Sequence, residues 1–139
     1  MKKLFCTLLT LVFCMGMAFA QHFDQYFENK NLRVNYLHIG NLTQEELKID
    51  HFTAGGTWNG TRQFLIEPDM YGDIVVELFD SVSNKLIYSR SYSCLFTEYR
   101  TTEKGETEIA SMEESVNIPF PKQTVKFMTV VVCFVIQRT

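Results

Sequence analysis

"DIVVELFDSVSNKLIYSRSYSCLF", Asp73 to Phe96, decides the fold. Ile74, Val76 and Leu78 alternate with Val75, Glu77 and Phe79, the period of two that places one apolar row on one face of a strand. Ser81-Val82-Ser83-Asn84 supplies turn residues, and Lys85 to Phe96 returns in strand-like composition. The segment predicts an antiparallel hairpin.

Working outward, "LRVNYLHI" (Leu32–Ile39) carries Leu32, Val34 and Tyr36 on one face and ends at Gly40-Asn41. "EELKIDHF" (Glu45–Phe52) reads as a second strand, with Leu47, Ile49 and, at its end, His51 on one side. The stretch from Thr53 to Asp73 is rich in Gly, Asn and Asp and reads as a loop-dominated crossing with a short strand at Gln63–Ile66. Thr97 to Glu108 reads as a charged, solvated connection. Glu106–Glu114 is open to a helix, whereas Val116 to Phe120 is extended and closed by Pro119 and Pro121. "TVKFMTVVVCFVI", Thr124–Ile136, reads as one final strand, apolar on both faces from Met128 onward. The expected fold is all-β: an antiparallel sandwich of two sheets and about six to eight short strands.

The N-terminus reads differently. Lys2 and Lys3 precede an apolar run from Leu4 to Met17, and Ala18-Phe19-Ala20 is a small-x-small cleavage pattern. Residues 1–20 are expected to be a signal peptide cut between Ala20 and Gln21, and residues 21–139 a single domain. The apolar run is short of the ~20 residues of a spanning helix, so no transmembrane span is expected in the mature chain. Phe13 before Cys14 disfavours lipidation. Export to the periplasm, cell surface or medium follows.

Loss of Lys2 and Lys3 leaves 11 basic against 16 acidic residues. Without clustered Lys and Arg, a nucleic-acid partner is not expected. The signal also removes Cys6 and Cys14, leaving Cys94 and Cys133, which are open either to a disulfide or to packing as small hydrophobes.

Catalytic patterns are missing. The histidines are His22, His38 and His51, and no H-E-x-x-H, H-x-H or C-x-x-C spacing occurs. His38 and His51 lie on neighbouring predicted strands and are read as structural or surface residues. Cys94 could pair with a histidine as a thiol dyad, but its aromatic strand favours packing. G-x-S-x-G is absent, and "AGGTWNG" lacks the lysine of a phosphate loop. Adjacent carboxylates such as Glu113-Glu114 point to opposite faces if extended. No cofactor, metal site or catalytic residue is expected. Trp58, in a Gly/Asn loop, is the candidate ligand contact, as a platform for a sugar ring or else a plug at one end of the sandwich. Asn41-Leu42-Thr43 and Asn59-Gly60-Thr61 match glycosylation sequons but read as turns.

Three segments together, "HFDQYFENKNLRVNYLHIGN", "YSRSYSCLFTEYRTTEKGETE" and "MEESVNIPFPKQTVKF", resemble the N-terminal domain of a bacterial IgA peptidase family. These are secreted zinc metallopeptidases, family 64 of the metallo class, and the resemblance spans Gln21 to about Phe127. It implies a non-catalytic accessory sandwich, since the family's H-E-x-x-H site belongs to a following domain. No zinc ligand or catalytic glutamate carries over. The resemblance fades at the apolar tail, which leads to the expectation of a truncated or stand-alone relative, not itself an enzyme. Its partner is unknown, with a peptidase domain or a host glycoprotein as candidates. The alternative is a secreted binding module for glycan or host protein.

Overall fold

The computed structural model describes residues 23–129 and 133–136. The expected signal segment, with the Ala20–Gln21 cleavage position, lies outside the described residues, as does His22. A single helical turn, α1 (Phe23–Tyr26), leads into β1 (Phe27–Gly40), followed by β2 (Glu45–Ala54), β3 (Ile74–Asp80) and β4 (Leu86–Tyr92). Two short helices, α2 (Leu95–Arg100) and α3 (Glu103–Thr107), precede β5 (Ala110–Pro121), β6 (Val125–Thr129) and β7 (Cys133–Ile136). The strands form two antiparallel sheets, in the orders β2-β1-β5 and β4-β3-β6-β7. This is the expected all-β sandwich.

Alternation builds the core. Leu32 and Val34 of β1 and Ile118 of β5 face Val76 and Leu78 of β3, Ile87 and Tyr88 of β4, and Val125 and Phe127 of β6. All nine are buried. At roughly 1.5–3 kcal/mol for each large apolar side chain removed from water, this interleaved layer is the main source of stability.

Several sequence expectations are corrected. The last strand is two: β6 pairs antiparallel with β7, Val125 opposite Ile136, so the apolar run folds back on itself. The hairpin's return strand ends at Tyr92, and Leu95 opens a helix. Strand β5 begins at Ala110, so the helix in this region is α3 and no helix reaches Glu114. No strand forms at Gln63–Ile66. That segment covers an exposed edge instead, with Ser89 N–H donating to the Leu65 carbonyl (2.9 Å) and Ser91 N–H to the Glu67 carboxylate. Since β4 is the outer strand of its sheet, these bonds occupy backbone groups that would otherwise invite a foreign strand.

A bulge in β2 settles the histidines. The register steps from Asn35 opposite His51 to Tyr36 opposite Ile49, leaving Asp50 as the extra residue. Leu47 and Ile49 therefore face inward while His51 falls on the outer face with Asn35, where it pairs with Asp50 (2.8 Å) in solvent. His51 does not share a face with Leu47, and it does not approach His38.

The β1–β2 connection is tight. Asn41 Oδ1 accepts from Thr43 N–H (3.0 Å), Thr43 Oγ1 (3.0 Å) and Gln44 N–H (3.1 Å), an Asx-type turn. Gly40 precedes it at φ +147°, and a Cβ there would lie 2.0 Å from the Gln44 carbonyl oxygen. Gly40→Ala is expected to cost about 2 kcal/mol, read as a lowered urea midpoint at unchanged slope.

Candidate functional site

The inward row of β1 runs Leu32, Val34, Tyr36 and then His38, so strand geometry carries a histidine to the end of an apolar face. Its side chain is fully buried. Both ring nitrogens meet carboxylates: Nε2 lies 2.8 Å from Glu45 Oε1 on β2, and Nδ1 lies 3.1 Å from Glu114 Oε2 on β5. Only a ring carrying a proton on each nitrogen donates to both.

Chain topology assembles the rest. Strand β1 lies between β2 and β5, so one residue from each neighbour flanks His38. The connection after β4 then closes over the ring. Phe96, fully buried, stacks on the imidazole at 3.8 Å between centroids and 24° between planes. Its backbone N–H donates to Glu114 Oε1 (3.3 Å). Arg100, at the end of α2, donates through Nη1 to Glu45 Oε2 (2.6 Å) and through Nη2 to the Leu42 carbonyl (3.1 Å). Nitrogen groups and carboxylates thus alternate along Arg100, Glu45, His38 and Glu114. A half-buried pairing of this kind, with each member hydrogen-bonded, avoids the cost of an unpaired buried charge.

The helices are fastened as well as stacked. Thr102 caps α3 by accepting from Gly105 N–H (3.1 Å) while its own hydroxyl donates to the Tyr99 carbonyl (2.8 Å). The Gly105 carbonyl accepts from Leu42 N–H (2.7 Å). A Cβ at Gly105 would sit 2.2 Å from the Tyr99 oxygen, so α2 and α3 approach more closely than a side chain allows. The stretch read as a charged, solvated connection is exposed along most of its length, but it is helical and pinned to the β1–β2 turn.

Cys94, just before α2, places its Sγ 3.7 Å from His38 Nδ1 and 3.4 Å from Thr97 Oγ1. The structure thus brings Cys94 and His38 together, as a thiol dyad would require. Burial pushes the thiol pKa up, with the Glu114 charge adding to the rise against the Thr97 hydrogen bonds. A neutral, partly buried thiol is not an activated nucleophile. Cys94 is a free thiol in this structure, and the side chain of Cys133 lies outside the described residues.

Tyr36 and Tyr92 share a hydrogen bond (2.8 Å between hydroxyl oxygens) beside the cluster. Burial is the main cause that raises both phenols, and the Glu114 charge adds to it; Tyr92 is pushed up to about 12. Because the folded values exceed the ordinary 10.0, this contribution is fully present below pH 10 and is lost as pH rises toward the folded values. Alkaline titration followed by near-ultraviolet circular dichroism should show unfolding beginning above pH 10, with Tyr92→Phe weakening the pH dependence. The adjoining recess, lined by Tyr36, Leu47, Ile49, Tyr92, Phe127 and Thr129, holds about 10 Å³. That is the lower limit for one water, and far below a substrate pocket of about 300 Å³ or more.

Trp58 lies elsewhere. It is 8% exposed, set edge-on to Tyr88 at 6.3 Å, and its Nε1–H donates to the Thr61 carbonyl (3.1 Å). The indole is buried in the core, whereas Phe64 and Tyr71 of the same loop are exposed. Sequence reading allowed Cys94 a histidine partner without singling out His38, and it missed Glu45, Glu114 and Arg100 as members of the cluster. The parity of His38 with Tyr36, and of Glu114 with Val116, was the available signal.

The sequence pattern of the family described as "Peptidase M64 N-terminus" matches residues 22–132. The chain belongs to this family. No match to a curated protein was found. Within this peptidase M64 N-terminal domain, the "SCLFTEYRTTEKGETE" segment forms the helical cap, where Phe96, Arg100, Thr102 and Gly105 each make the contacts described above. Among the described residues, no helix is long and apolar enough to cross a membrane.

Proposed function

We propose that this chain is an exported, non-catalytic accessory domain that supports or positions substrate for a peptidase domain of the IgA-type metallopeptidase family. The match to the N-terminal part of that family over residues 22–132 carries the reading. The polar cluster agrees with it: the side chains best suited to chemistry are engaged with one another beneath Phe96 and hold the cap to the sheet. The test is binding, by surface plasmon resonance, between the purified chain and a separately expressed catalytic domain of a family member. Saturable association is expected; no association at high micromolar concentration would sink the supporting role.

A second reading, a binding module for glycan or host protein, is favoured by one observation. The loop between β2 and β3 exposes Phe64 (81%) and Tyr71 (89%). In this reading the contact is made by those rings, with the buried Trp58 of the same loop helping to hold it in shape. Glycan- or glycoprotein-array binding lost in Tyr71→Ala, at unchanged stability, would favour this reading.

A further inference from the structure

The geometry points to a zinc-class metal site formed by His38 Nδ1, Cys94 Sγ and Glu114 Oε2, a clip joining β1, β5 and the start of α2. These three ligand atoms lie within 4.8 Å of one another. Two of the three separations approach those of a tetrahedral centre. With metal–nitrogen and metal–oxygen bonds near 2.1 Å and metal–sulfur near 2.3 Å, nitrogen and sulfur stand about 3.6 Å apart, and nitrogen and oxygen about 3.4 Å. The observed separations are 3.7 Å for Nδ1 to Sγ and 3.1 Å for Nδ1 to Oε2.

Two further observations point the same way. The remaining His38 nitrogen, Nε2, is hydrogen-bonded to Glu45, which Arg100 holds from its other oxygen. A carboxylate behind the imidazole fixes its orientation and tautomer, as outer partners of ligating histidines do. Glu114 is likewise set in place, its Oε1 accepting from Phe96 N–H, which leaves Oε2 directed at Nδ1. His38 is fully buried, with Glu114 and Cys94 partly so, whereas adventitious surface sites have exposed ligands.

Metal binding replaces protons. The Cys94 thiol proton and the proton between Nδ1 and Glu114 leave to solvent as the three bonds form. A fourth position is left to water. The set mixes nitrogen, sulfur and oxygen, which suits zinc better than the oxygen-seeking calcium or magnesium. It shares nothing with an H-E-x-x-H motif, which the sequence lacks. The rival occupant of the same space is a proton, giving a ring bridged between two carboxylates.

The test uses the full chain, purified without a polyhistidine tag, reduced and stripped with chelator, then titrated with cobalt(II) and separately with zinc against a chromophoric chelator. One equivalent should bind. The cobalt form should show thiolate-to-metal charge transfer and the intense visible bands of a tetrahedral centre. Cys94→Ser should abolish the charge-transfer band while the protein stays folded by circular dichroism. Glu45→Gln, which touches no metal, should weaken zinc binding about 10–100-fold. Absence of saturable binding, or affinity and spectra unchanged in Cys94→Ser, would overturn the site and assign the cluster to the proton-bridged form.

Discussion

Phe96→Ala is expected to lower the unfolding free energy by about 3–5 kcal/mol, the range for deleting a fully buried aromatic ring. The upper part of that range applies because the hole cannot close. One wall is the imidazole of His38, stacked at 3.8 Å. The backbone around the other walls is tied by Arg100 to Glu45 and Leu42 and by Leu42 N–H to Gly105. Loss of the ring also opens the His38–Glu114 pair to water. The control is Leu95→Ala, one residue away but 65% exposed, which should change stability by less than about 0.5 kcal/mol. Equilibrium urea unfolding of both variants checks the contrast. If the two cost the same, Phe96 does not hold the cap to the sheet.

Glu114→Ala is the second large effect, at about 3 kcal/mol. The glutamate is 11% exposed at its side chain and serves two donors at once, His38 Nδ1 and Phe96 N–H. Removing it leaves both beneath the cap without an acceptor, and removing one partner of a buried pair is far costlier than the pair is stabilising. Glu114→Gln retains one amide oxygen as acceptor and should cost about half as much. Glu45→Ala should fall below Glu114→Ala, since Glu45 is 25% exposed and water can replace it. This ordering, measured by chemical denaturation at neutral pH, is the signature of a network in which Glu114 is the inner member.

What the sequence showed of these features follows from the range of the forces involved. The central hairpin was legible because period-two alternation and "SVSN" are local signals, and β3 pairs with β4 as they predict. The division of the terminal run into β6 and β7 was not, because no Gly, Pro, Asn or Asp interrupts residues 124–136. The bulge at Asp50 was equally silent, and it reversed the expected face of His51. The helical form of the connection was missed for a different reason. Its twelve residues, 97–108, are mostly polar or charged, and what orders them is long-range contact with the β1–β2 turn. His38 and Glu114 sat in the right parity for the core. Only the placement of β1 between β2 and β5 makes them partners.

The central claim, that this M64 N-terminal domain acts as an accessory unit and not as a peptidase, is tested most directly by incubating the purified full chain with IgA and with casein in the presence of zinc. The account predicts no cleavage above the buffer control with either protein. Cleavage that a chelator stops and added zinc restores would contradict it.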